Sequence, residues 1–189
     1  MSVEGVLLAA GAGSRMGMPK ALVHDDDGGS WLAHGVETLV DGGCDRVTVV
    51  LGASADEAVR LLDGLGVDVV IASDWAEGMS ASLRAGLRAL PDDGEVAVVL
   101  LVDLPDVTAE VVRRVVAAAT DPAALPCAAL RRAGFDGRPG HPVLIGRDHW
   151  AGVLAEANGD EGARSYLRER PVDLVECGDL ATGHDVDAR

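Results

Sequence analysis

The residues with the clearest capacity for chemistry lie between Val6 and Lys20, in the stretch V-L-L-A-A-G-A-G-S-R-M-G-M-P-K. An apolar run feeds directly into a loop with glycines at 11, 13 and 17 that closes on Pro19-Lys20. Glycines let a backbone approach a ligand closely, and successive backbone N–H groups can then converge on one anion. Arg15 and Lys20 add two positive charges to the loop. Of the 16 basic residues, all but Lys20 are arginine. These features predict a loop that holds a nucleoside triphosphate. It is not a P-loop, because G-x-x-x-x-G-K-[ST] is absent. The spacing G-x-G-x-x-x-G is a weak match to a dinucleotide fingerprint, which also wants an acidic residue closing the second strand. Here that strand closes on Leu51-Gly52-Ala53-Ser54.

Asp103-Leu104-Pro105 follows the apolar run V-V-L-L-V. A carboxylate at the end of a buried central strand is costly unless it is paired or binds a metal. Asp103 reads either as a turn or cap residue or as a metal ligand. With a phosphate loop on the same sheet edge, Mg²⁺ is the better reading, since it takes one or two carboxylates together with phosphate oxygens. Asp185-Val186-Asp187 offers further carboxylates, which read either as a solvated tail or as the completion of that site. Gly78 and the serines at 80 and 82 precede or open a predicted helix, whose N-terminus favours anions and acceptors. Trp75 reads as core. Gly140-His141-Pro142, preceded by Arg131, Arg132 and Arg138, suits a second anionic substrate or a simple turn with surface arginines.

The elements that must position these residues follow from periodicity. Strands are predicted over Val3–Leu8, Arg46–Leu51, Val67–Ile71, Glu95–Val102, Cys127–Leu130, Val143–Ile145 and Val172–Glu176. The most apolar of them, Glu95–Val102, is expected at the centre of the sheet. Helices are predicted from Trp31 to about Val40, capped by Ser30, and from Ser54 to about Leu62. Others are predicted over Met79–Leu90, Thr108–Ala119 and His149–Ala155, with one ending near Arg168. Arg131–Pro142 reads as a basic loop, and Gly183–Arg189 as a tail. Strands alternating with helices predict an α/β domain with a largely parallel sheet, one domain over residues 1–189. In such sheets ligands bind at the carboxyl ends of strands, where both the glycine loop and Asp103 fall.

Composition bounds the partners. A net charge of −15 argues against a nucleic-acid surface and makes the basic pair in the loop more informative. Three cysteines without a C-x-x-C argue for a reducing compartment and against a zinc site. No stretch nears the roughly 20 apolar residues that span a bilayer, and no signal peptide is evident, so a cytoplasmic protein is expected.

Five blocks in order resemble a known family. L-A-A-G-A-G-S-R-M-G-M-P-K resembles the opening signature of nucleotidyltransferases with the glycosyltransferase-A-like fold. W-A-E-G-M-S-A-S-L-R-A-G, V-D-L-P, G-H-P-V and G-D-E-G-A-R resemble its molybdenum cofactor cytidylyltransferase branch. The resemblance implies a three-layer, Rossmann-like domain with a mostly parallel mixed sheet. It implies that the backbone of Leu8, Ala9, Ala10, Gly11, Ala12 and Gly13, with Ser82, contacts the base and ribose. Arg15 and Lys20 would hold the triphosphate, and Asp103 the Mg²⁺. Gly140, His141 and Pro142 would lie toward a pterin acceptor. The branch ends D-I-D-T-P where this chain ends D-V-D-A-R, so either Asp185 or Asp187 is the second metal ligand; alignment to the Asp before Thr selects Asp187. L-A-A-G in place of L-A-G-G resembles the cytidylyl members.

The implied reaction moves CMP from CTP to the terminal phosphate of a molybdopterin-type cofactor, with release of pyrophosphate. The implied partners are CTP or another NTP, an anionic pterin cofactor, and a molybdoenzyme or its maturation chaperone; neither nucleic acid nor membrane is among them. Within the superfamily the alternatives are a guanylyltransferase or a sugar-phosphate nucleotidyltransferase. Outside it they are an NADP-dependent oxidoreductase, or a non-catalytic nucleotide sensor or cofactor chaperone.

Overall fold

The computed structural model describes residues 1–118 and 126–186. The carboxyl end of the predicted helix over Thr108–Ala119, and Asp187 of the tail, lie outside the described residues. Strands β1 (Val3–Ala9), β2 (Arg46–Leu51), β3 (Asp68–Ile71), β4 (Val96–Leu101), β5 (Leu130–Phe135), β6 (Arg138–Gly146) and β7 (Asp173–Glu176) form one sheet in the order β3-β2-β1-β4-β6-β5-β7. β1 pairs in parallel with both β2 and β4, and β2 with β3. β6 runs antiparallel to β4 and to β5, and β7 returns to a parallel pairing with β5. The sheet is therefore mixed and mostly parallel, as expected.

β1 and β4 are buried along almost their whole length, which is why both read as near-continuous apolar runs. Side chains alternate between two cores. Leu7, Val49, Val98 and Leu144 face one, covered by α1 (Trp31–Asp41) and α4 (Ala109–Ala118). Val6, Val50, Val99 and Ile145 face the other, covered by α3 (Met79–Ala89), α5 (Arg147–Glu156) and α6 (Arg164–Arg168). The result is a three-layer α/β architecture. Ser30 caps α1 as predicted, its side chain accepting from Ala33 N. Among the described residues no helix is long and apolar enough to cross a membrane.

Three expectations are corrected. Ser54 makes no side-chain cap, because its own backbone is left-handed. The helix it opens, α2 (Ala55–Ala58), is one turn long and tightens into a 3₁₀ turn over Val59–Leu62. The strand predicted at Cys127–Leu130 begins only at Leu130, after a 3₁₀ turn over Pro126–Ala128. The loop predicted at Arg131–Pro142 is instead a β-hairpin, β5 and β6 joined by Asp136-Gly137. Both turn residues have positive φ (+52° and +75°), the pairing that a two-residue Asp-Gly turn supplies to twisted antiparallel strands. The density of Arg, Gly and Pro hid the strand alternation, although Asp-Gly was the signal for it.

Candidate active site

The parallel pairing of β1 and β4 sets Leu8 against Leu101. The glycine loop after β1 and Asp103 after β4 therefore leave the sheet side by side. A 3₁₀ turn over Lys20–Leu22 brings the loop back, with Ala21 and Val23 buried in the core as its anchors. That turn delivers Lys20 Nζ to within 2.5 Å of Asp103 Oδ2 across 83 residues of sequence. The two side chains are only 16% and 15% exposed, so the pair is poorly screened by water. Asp103 Oδ1 is buried and has no hydrogen-bond partner among the described residues. Within the loop, Met16 N and Gly17 N both donate to Gly13 O. Gly13 has a φ of +59°, and a Cβ there would overlap the Met18 carbonyl oxygen, so this turn requires glycine.

Two cavities meet at Lys20 and Asp103. The first, about 340 Å³, runs along the backbone from Leu8 through Ala9, Ala10, Gly11 and Ala12 to Gly13. Its opposite wall is the start of α3, where Ser82 is buried and Met79 faces the space. Trp75 is both core and wall: it packs under Gly52 and lines the cavity with its remaining edge. The second cavity, about 590 Å³, opens on the other side of Lys20 and Asp103, toward the β5–β6 hairpin. Because β6 is antiparallel to β4, its early residues Gly140 and His141 reach the carboxyl end of β4. Pro142 is buried and forms no part of the cavity wall. Arg15 lines the second cavity, and with Ser14, Gly13 and Lys20 a smaller recess of about 230 Å³.

The second cavity also collects Arg132, which the sequence offered only as one arginine of a basic loop, and Arg164, which it did not single out. Arg132, on the same sheet face as Val143, donates through Nε and Nη2 to Gly140 O, at 3.2 Å each. Arg164, at the start of α6, lines the same space. Among the described residues neither guanidinium makes an ion pair with a carboxylate. Burial and the neighbouring Arg164 push the Arg132 guanidinium below its ordinary pKa. Asp160 lines both cavities and Asp185 the second. The sequence held a signal for Arg164 in G-D-E-G-A-R, but the convergence is tertiary. Among the described residues no three Asp, Glu, His or Cys side chains gather closely enough to hold a metal by themselves.

His141 sits beside these arginines. Burial, then Arg132 and Arg164, lower its pKa from 6.5 to about 3. Its folded-state pKa lies below the unfolded value, so the unfolded chain takes up the proton first as the pH falls. The penalty on the folded state is absent above about pH 6.5 and grows as the pH drops toward 3. His141→Gln should therefore lose less thermal stability than wild type between pH 6.5 and 4, with the two curves parallel above pH 7.5. Melting curves of both proteins across that range check this.

The sequence profile of the MobA-like NTP transferase domain matches residues 5–174. The chain is similar to nicotine blue oxidoreductase of Paenarthrobacter nicotinovorans, 38% identical over 192 residues, covering 98% of this chain and 92% of that protein. It is 33% identical over 107 residues to a probable molybdenum cofactor guanylyltransferase of Rhodopirellula baltica, covering 56% of this chain and 50% of that one. Among solved structures, Rv0371c of Mycobacterium tuberculosis H37Rv superposes with a TM-score of 0.79 at 28% identity, covering 100% of this chain and 94% of that one.

Proposed function

The chain belongs to the MobA-like NTP transferase family, and from that premise we propose that it transfers CMP from CTP to the terminal phosphate of a molybdopterin-type cofactor. The observation that carries this reading is the Lys20–Asp103 pair, set where a backbone-lined cavity meets a cation-lined one. The first cavity takes the nucleotide, with the Leu8–Gly13 backbone and Ser82 on its base and ribose and Lys20 and Arg15 on its triphosphate. The second takes the acceptor. Arg132 and Arg164 supply positive charge that no carboxylate among the described residues neutralises, which suits an anionic ligand.

A divalent cation fits the donor set. Asp103 Oδ1 is a buried oxygen in want of a partner, and a hard carboxylate beside a phosphate site is what Mg²⁺ takes. Asp103 would hold it with a tail carboxylate, Asp187 by alignment or Asp185 in the cavity wall. When bound, the cation supplies neutralisation of charge on the triphosphate oxygens. Lys20 Nζ donates to those oxygens from a site that water screens poorly, and Arg15 holds the departing pyrophosphate. An acceptor phosphate oxygen bonds to the α-phosphorus as the bond to the β-phosphate bridge breaks. That nucleophile is ionised at neutral pH, so the site needs no general base. Positioning and charge carry the reaction.

The choice of CTP follows from Leu8-Ala9-Ala10-Gly11, which resembles the cytidylyl signature. The test is a panel of nucleotides read by thermal stability, because a ligand stabilises the state it binds. At about 100 times its Kd a ligand adds roughly 2.7 kcal/mol, or about 5–10 °C for a chain of this size. CTP with a divalent cation is expected to give the largest shift. A larger shift with GTP would overturn the cytidylyl assignment in favour of a guanylyltransferase.

One observation favours a second reading. Nicotine blue oxidoreductase matches nearly the full length of both chains. Under that reading the glycine loop holds NADPH, and the second cavity a ring that accepts its hydride. The Lys20–Asp103 pair has no part in hydride transfer, so the first reading explains more of the site. A shift with NADPH alone, and none with nucleoside triphosphates, would select the second.

A further inference from the structure

Asp185 reaches the site because the tail that carries it is held in place. Asp106 Oδ2 accepts three hydrogen bonds from it: Thr182 N at 2.7 Å, Thr182 Oγ1 at 2.5 Å and Gly183 N at 3.2 Å. Three residues later in the tail, Val186 N donates to Asp103 O at 3.0 Å. Gly183 lies flat against Phe135, where any Cβ would overlap the ring, and its φ is +63°. Only glycine admits so close an approach in that conformation. Val186 packs against the core, so its neighbour Asp185 is carried to the wall of the second cavity, which Gly183 and Asp103 also line. The turn Asp103-Leu104-Pro105-Asp106 thus holds a site carboxylate at its first residue and the anchor of the tail at its fourth.

We infer that Asp106 is a positioning residue: through Thr182 and Gly183 it clamps the carboxyl-terminal tail against Asp103 and so assembles the two-segment cation site. The inference rests on the metal reading above. Asp106 lines neither the two large cavities nor the recess. Its carboxylate fixes the backbone of the segment that brings the second carboxylate. A tail released from Asp106 would have to be ordered again each time the cation bound, and the cation's apparent affinity would fall by that fraction.

The experiment titrates the full chain with Mn²⁺ alone and follows free ion by electron paramagnetic resonance, well below the melting temperature. Asp106→Ala is expected to weaken Mn²⁺ binding about tenfold, with the melting shift given by CTP without metal unchanged. Asp106→Asn keeps a carbonyl oxygen for the same donors and is expected to stay within about threefold of wild type. Gly183→Ala, which forces the tail away from Phe135 while keeping the Asp106 carboxylate, is expected to reproduce the loss, and it stands in should Asp106→Ala not fold. Wild-type Mn²⁺ affinity in folded Asp106→Ala or Gly183→Ala would overturn the inference and leave the metal reading intact. Mn²⁺ binding by wild type that survives Asp103→Asn unchanged would overturn both.

Discussion

Replacing Lys20 with alanine is expected to lower nucleotidyl transfer at least about 10³-fold. Removing one preorganised donor to developing negative charge costs roughly 10²–10³ in kcat in a site of this kind. Lys20 is a full cation rather than a neutral donor, and its side chain is largely shielded from water. Among the described residues it is the one cation that lines both large cavities and the recess beside Arg15. The fold should persist, since the turn that carries Lys20 is anchored by Ala21 and Val23 rather than by its side chain. Lys20→Arg should recover little of the loss. A planar fork does not replace a compact ammonium 2.5 Å from a carboxylate. Pyrophosphate release, with circular dichroism as the control for folding, measures both variants.

Asp103→Asn is expected to be as damaging, for a different reason. The amide keeps the shape of the side chain and an oxygen for Lys20, but it removes the negative charge that would hold the cation. Transfer should fall by about 10³-fold or more, and raising Mg²⁺ should not restore it, because the missing group is the ligand itself. This separates Asp103 from Asp106, whose loss should be offset by high metal concentration. Rates measured against Mg²⁺ concentration for the two variants make the comparison directly. Recovery of Asp103→Asn at high Mg²⁺ would exclude a ligand role for that carboxylate.

The parts of the site legible in the sequence were those fixed by local pattern. The glycine loop, Lys20 and Asp103 each follow an apolar strand. A parallel sheet brings the carboxyl ends of its strands to one edge, so two residues 83 apart could be read as neighbours before any distance was known. The largely parallel sheet and its central strand were legible for the same reason, while its mixed character was implied only by the family resemblance. What was not legible depends on contacts between distant segments. Arg132 and Arg164 converge on one cavity only after β5 and β6 form a hairpin and α6 folds back over it. Arg131 and Arg132 read as loop residues because basic side chains in a strand break the apolar alternation. Arg131 is nonetheless buried, with Asp173 on the neighbouring strand as its partner. Trp75 read as core and proved to be core and cavity wall at once. Asp106 carries no motif of its own, and its partners lie 76 and 77 residues away.

The fate of the α-phosphate decides whether the chain is a nucleotidyltransferase for a pterin acceptor. The full chain is incubated with molybdopterin, Mg²⁺ and CTP labelled at the α-phosphorus, and products are separated after a single turnover. Label is expected in the pterin product as CMP joined through a phosphoanhydride to the pterin's terminal phosphate, with one pyrophosphate released for each label transferred and none from Lys20→Ala. Label that stays in CTP, with no pyrophosphate released by the folded wild-type protein, would contradict nucleotidyl transfer to the pterin.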